Sequence, residues 1–141
     1  MKGNGFIKLR ITGHNLKLEE ISEKFARQPG LTYRKGDSYT SKYSDRKPVT
    51  YKEDCWMYEV EKSENMTLEA AIEKFVSEFA DCADYLKELS EQNNITLWIS
   101  AYPDEEQDNI HLSPKTLRHI ADLGISIDFD IMFLKDFYEK S

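Results

Sequence analysis

The chain has 141 residues, 40% hydrophobic, 12% aromatic and 32% charged, with a formal net charge of −7. A chain of this length buries about 68–70% of its unfolded surface, enough for one core, so residues 1–141 read as a single domain. Periodic apolar residues exclude a disordered chain, and no apolar run approaches the ~20 residues needed to span a bilayer.

The acidic balance disfavours nonspecific nucleic-acid binding over the whole surface. The opening Met-Lys-Gly-Asn-Gly-Phe has no apolar stretch behind its basic residue, which predicts no secretory leader. Cys55 and Cys82 form no CxxC pair and fall in different expected elements. Reduced thiols in a cytoplasmic protein are the expectation.

From Gly5 to Gly13, Ile7, Leu9 and Ile11 alternate with Lys8, Arg10 and Thr12, the period of a half-buried strand. Leu18, Ile21 and Phe25 then fall at helical spacing, with Glu19 and Glu20 in the first turn, where the helix dipole favours anions. Pro29-Gly30 closes that helix. Residues 31–53 are polar and tyrosine-rich, and they predict a strand over 31–35 followed by a long loop. Residues 55–61, rich in Trp, Tyr and Val, predict the next strand.

Thr67 is the expected N-cap of the longest element. Leu68, Ile72, Phe75, Val76, Phe79, Cys82, Ala83, Leu86 and Leu89 keep a 3.6-residue period, predicting one helix of about six turns. Ile95, Leu97 and Ile99 alternate with Thr96, Trp98 and Ser100 as another strand, and an acidic loop follows over 104–108. Ser113-Pro114 starts a helix, since serine caps the free amides and proline suits the first helical position. Gly124 stands where a left-handed C-terminal residue is wanted. Ile125, Ile127, Phe129, Ile131 and Phe133 alternate with Ser126, Asp128, Asp130 and Met132 as the last strand.

The order is β-α-β-β-α-β-α-β. The predicted fold is α+β: a mostly antiparallel sheet with three helices on one face, a ferredoxin-like βαββαβ pattern with an appended helix and strand.

Several segments resemble one bacterial family: L-R-I-T-G at 9–13 with L-x-L-E-E-I at 16–21, R-K-G-D at 34–37, the tryptophan at 56, and the run from His111 to Ile131. The family is the domain-of-unknown-function family numbered 4279. The resemblance runs in order over nearly the whole chain, and its most specific part is the closing helix–strand unit. It implies a bacterial source and no particular activity. Small bacterial domains of this size sometimes serve as toxin-immunity proteins, an analogy between classes of protein.

Two surfaces are candidate sites. If the helices cover one face of the sheet, Ile7, Leu9, Ile11, Ile95, Leu97, Ile99, Ile127 and Phe129 point at them. The other face then carries Lys8, Arg10, Thr12, Trp98, Ser100, Tyr102, Ser126, Asp128 and Asp130. Arg10, Trp98, Asp128 and Asp130 are the binding candidates there, with Arg10 free to pair with either aspartate if their strands are neighbours. An ordinary solvated face with weak cross-strand ion pairs is the plainer account. The second surface is 33–52, where Arg34, Lys35, Tyr39 and Tyr43 belong to a basic stretch interleaved with tyrosines. Such a mixture suits single-stranded nucleic acid through charge and stacking, or a protein partner.

The three histidines have no HxxxH or HExxH spacing, and the acidic loop lacks the glycine and closing glutamate of a calcium site. No nucleophile elbow or cysteine-protease motif is present. No catalytic residue, metal or cofactor is therefore expected, and no membrane association. The leading expectation is a protein-binding module, with an immunity-type protein as one form of it and a homo-oligomer as another. The alternative is a small-ligand binder or enzyme using Arg10, Asp128 and Asp130, and the third reading is nucleic-acid binding through 33–52.

Overall fold

The computed structural model describes residues 5–39, 48–102 and 110–131. In chain order the elements are β1 (Gly5–Gly13), α1 (Leu18–Phe25), β2 (Leu31–Tyr33), β3 (Ser38–Tyr39), β4 (Val49–Thr50), β5 (Asp54–Glu61), α2 (Leu68–Ser77), a 3-10 turn (Ala80–Cys82), α3 (Ala83–Ser90), β6 (Asn94–Ala101), α4 (Pro114–Asp122) and β7 (Ser126–Ile131). The architecture is α+β, built on a mixed five-stranded sheet of order β2-β5-β1-β6-β7. β1 runs antiparallel to β5 and β6, β2 antiparallel to β5, and β7 parallel to β6.

β1 is central because its inner side chains are apolar along the whole strand. Ile7, Leu9 and Ile11 are fully buried, opposite Val60, Tyr58 and Trp56 on one flank and Ile99, Leu97 and Ile95 on the other. Onto this face pack Ile21 and Phe25 of α1, Ile72, Phe75 and Val76 of α2, Leu86 of α3 and Ile120 of α4, forming one continuous core. Trp56 belongs to it, and its indole N–H donates to Ser22 Oγ at 3.0 Å, so the one polar atom of a buried ring is satisfied.

The helix ends follow the local signals. The Thr67 side chain accepts from the Ala70 amide at 3.1 Å, and Ser113 accepts from the Thr116 amide at 3.3 Å. Gly124 takes φ +70°, the left-handed value the sequence called for. α4 is tied to α2 by carboxylates: Glu69 accepts from the Ser113 amide, and Glu73 from the Thr116 hydroxyl at 2.8 Å.

Two expectations are corrected. The single long helix is two, so the described residues hold four α-helices where three were expected. The chain unwinds after Ser77, and Phe79 turns fully into the core against Phe25 and Phe75, with ring centroids 5.2 and 5.3 Å away. A straight helix over that stretch would be about 35 Å long, while an eight-residue strand spans about 27 Å; the break keeps both halves over the sheet. The strand expected over 31–35 ends at Tyr33, and the loop after it contains the β3–β4 hairpin. Phe129 faces the helices as expected, opposite Ile99, and at the sheet edge it stays 40% exposed. Tyr43, the acidic loop over 104–108, and Met132 and Phe133 lie outside the described residues.

Candidate functional site

The face away from the helices carries the alternate residues of each strand. Near its middle, Lys8 and Arg10 of β1, Trp98 of β6, Cys55 and Met57 of β5, and Leu31 and Tyr33 of β2 line a shallow depression of about 250 Å³. Strand order brings them together. β2 pairs Leu31 with Met57 and Tyr33 with Cys55, β5 pairs Met57 with Arg10, and β6 pairs Trp98 with Lys8.

Arg10 is the chemical centre of this surface. Its guanidinium carbon stands 5.7 Å from the Trp98 ring centroid, and its Nη2 donates to the Tyr33 hydroxyl at 3.4 Å. No carboxylate among the described residues lies within ion-pair distance of it, whereas Lys8 reaches Glu59 at 3.5 Å. Burial pulls the Arg10 pKa down, but interactions with Tyr33 and Cys55 outweigh it and the net shift is upward. The Tyr33 hydroxyl is pushed up by burial, and the hydrogen bond to Arg10 offsets only part of that. The site therefore presents a permanent positive charge, flanked by an aromatic face and a hydroxyl, with Leu31 exposed at its rim.

Trp98 holds a second unused group. Its indole N–H is buried and has no hydrogen-bond partner among the described residues. Such an atom costs about 1–3 kcal/mol if left unpaired in the working state.

Asp128 and Asp130 lie on the same face, in register with Trp98 and Ser100 respectively. β6 separates β7 from β1, and the register sets Asp128 across from Lys8 and Asp130 across from Phe6, so both aspartates stand more than two strand spacings, over about 10 Å, from the Arg10 backbone. The conditional Arg10–aspartate pair therefore does not form; Arg10 turns toward Tyr33 on the opposite flank.

Arg34 and Lys35 have architectural contacts. The buried Asp54 carboxylate accepts from the Leu16 amide at 3.0 Å and the Lys35 amide at 2.8 Å. Arg34 Nη1 donates to the Leu16 carbonyl at 2.6 Å and reaches Asp54 at 3.4 Å. Burial raises the Asp54 pKa, and the two backbone donors with the Arg34 charge more than reverse this, leaving it below the usual carboxylate value. Tyr39 stacks on Tyr51 at 4.3 Å, and Tyr51 on Tyr33 at 3.5 Å, so these tyrosines use ring faces on one another.

A separate pair lies between α2 and α4. His119 Nδ1 is 2.8 Å from Glu73, beside a cleft of about 330 Å³ lined by Val76, Ala80, Ala83 and Leu123. Hydrogen bonds from His119 and Thr116 hold the Glu73 carboxyl below its ordinary pKa. Among the described residues no group of three His, Cys, Asp or Glu side chains is arranged for a metal, and no helix is long and apolar enough to cross a membrane.

Sequence reasoning found Arg10, Lys8 and Trp98 but missed Leu31, Tyr33, Cys55 and Met57 as their companions. Alternation over 55–61 was the available signal: Cys55, Met57 and Glu59 share the face opposite Trp56, Tyr58 and Val60. Glu73 with His119 carried no signal, since 46 residues separate them.

The family model described as Domain of unknown function (DUF4279) matches residues 4–134, nearly the whole chain, and the chain belongs to that family. Neither a curated protein nor a solved structure matches it.

Proposed function

Taking the chain as a member of this family, we propose that it is a protein-binding module whose open sheet face, centred on Arg10 and Trp98, receives an acidic side chain of a partner protein. The observation that carries this reading is Arg10 itself: a half-buried guanidinium, oriented by Trp98 and Tyr33, with no carboxylate of its own among the described residues. A partner carboxylate would supply the missing charge and take a charge-assisted, bidentate hydrogen bond in a partly desolvated setting. Arginine and tryptophan are also the side chains that most often dominate interface energetics.

The depression favours a partner's side chain over a free small molecule. Its volume of about 250 Å³ falls below the roughly 300–1,000 Å³ usual for small-ligand pockets. An interface of standard size, about 800 Å² a side, would extend along the face over Leu31 and Met57. Antiparallel pairing of β2, β5, β1 and β6, with helical crossovers between β1 and β2 and between β5 and β6, supports reading this core as ferredoxin-like. A cytoplasmic bacterial setting, with the face covering a partner's active surface in an immunity-type role, is the form of the proposal we favour.

Affinity capture from the native host tests it, with wild-type, Arg10→Ala and Trp98→Ala baits compared. A partner retained by the wild type and lost from both variants, with crosslinks mapping to β1 and β6, is the expected result. A partner retained equally by all three baits, or no partner at any stoichiometry, would overturn it. Nucleic-acid binding is a weaker reading, because Tyr33, Tyr39 and Tyr51 already stack on one another.

A further inference from the structure

We propose that the free edge of β7 receives an extended segment of a partner protein in which basic and apolar residues alternate, completing the sheet as a sixth strand. Among the described residues β7 ends the strand order and pairs only with β6. Its outer edge therefore offers backbone N–H and C=O groups with no ladder partner among the described residues, the template used in strand addition.

The side chains of β7 say what such a strand would carry. On the helix side, Phe129 and Ile131 are large apolar groups left 40% and 43% exposed. On the open side stand Asp128 and Asp130, both exposed, and neither forms an ion pair among the described residues. A strand laid about 4.8 Å away would place its alternate side chains against these two rows. Apolar residues would cover Phe129 and Ile131, and lysines or arginines would neutralise the aspartates.

Charge complementarity decides the occupant. In a second copy, β7 pairing antiparallel with β7 would bring aspartates opposite aspartates, and like charges directly opposite destabilise a ladder. The chain's net charge of −7 also steers basic partners toward it and repels its own copies. The proposal uses residues that the Arg10 seat does not, so either reading survives the failure of the other.

The probe is a synthetic peptide of about eight alternating lysines and valines, long enough to span the six residues of β7. Three controls accompany it: a glutamate–valine peptide, the lysine–valine peptide N-methylated at alternate backbone nitrogens, and the Asp128→Asn/Asp130→Asn protein. Binding is followed by amide chemical shifts and hydrogen exchange. We expect the lysine–valine peptide to slow exchange along β7, with affinity falling at least tenfold on N-methylation and in the double variant. Equal affinity for the N-methylated peptide would reduce the effect to nonspecific charge and overturn the proposal. So would protection of β7 by the glutamate–valine peptide, no binding at millimolar concentration, or concentration-dependent protection without peptide, which would identify a second copy as the occupant. Shifts from the glutamate–valine peptide confined to Arg10 and Trp98 would bear on the other surface alone.

Discussion

Arg10 on the central strand lies diagonally across from Trp98 on β6, its guanidinium carbon 5.7 Å from the ring centroid, while its register partner is Thr96. The contact orients a charge and adds little to stability, since a partly exposed cation–π pair contributes about 0.5–1 kcal/mol. Arg10→Ala should therefore lower the unfolding free energy by about 1 kcal/mol or less in urea titration. A loss beyond about 2 kcal/mol would make Arg10 a structural residue and weaken its role as a docking group.

Asp54 should behave in the opposite way. Its carboxylate satisfies the Leu16 and Lys35 amides and holds Arg34, so Asp54→Ala strands two backbone donors and should cost about 2–4 kcal/mol. The pH dependence has a definite sign. Burial opposes ionisation, the Lys35 and Leu16 amides and Arg34 favour it more strongly, and the folded pKa lies below the unfolded one. The stabilisation is present above the unfolded value of about 4 and is lost as pH falls through the folded one. Urea midpoints recorded on descending pH should fall less steeply for Asp54→Asn than for the wild type. Parallel acid limbs would refute the assignment.

The contrast between these residues marks what the sequence could disclose. β1, the Thr67 and Ser113 caps and the left-handed Gly124 depend on neighbours within a few positions, so local pattern was enough. The open-face placement of Arg10 and Trp98 followed from alternation. Their companion Tyr33 did not, because it required knowing that β2 pairs with β5 and β5 with β1. Asp54 gave no signal for a related reason: its partners lie 19 and 38 residues away. The helix break at Phe79 was hidden because Val76, Phe79, Cys82 and Ala83 fit both an α-helix and a 3-10 turn at one-sided spacing.

Ala26 closes α1 in a left-handed conformation at φ 52°, with the Arg27 amide on the Ser22 carbonyl and the Ala26 amide on that of Glu23. This is the position where glycine normally ends a helix. A left-handed residue with a Cβ costs about 1–2 kcal/mol, and glycine's extra freedom in the unfolded chain returns part of it. Ala26→Gly should stabilise the fold by about 0.5–1 kcal/mol, read as a higher urea midpoint at unchanged slope. A lower midpoint would contradict the strain.

Tyr85 offers the last test, because its hydroxyl is buried without a hydrogen-bond partner among the described residues while its ring packs on Phe25 at 5.5 Å and under Lys24 at 5.8 Å. Burial, followed by the charges of Glu20 and Glu88, pushes its pKa up to about 12. The folded state thus favours the neutral phenol. Stability is unaffected below the unfolded value of about 10 and declines as pH rises from there toward the folded value. Tyr85→Phe keeps the ring contacts and removes an unpaired hydroxyl, so it should be neutral or stabilising by up to about 1 kcal/mol at neutral pH. The same variant should lose less stability than the wild type between pH of about 10 and 12, and its absorbance titration should lack the most alkaline tyrosinate step. Destabilisation by more than about 1 kcal/mol at neutral pH would mean that the hydroxyl makes a hydrogen bond, and the cleft between α1 and α3 would then need a polar group facing it.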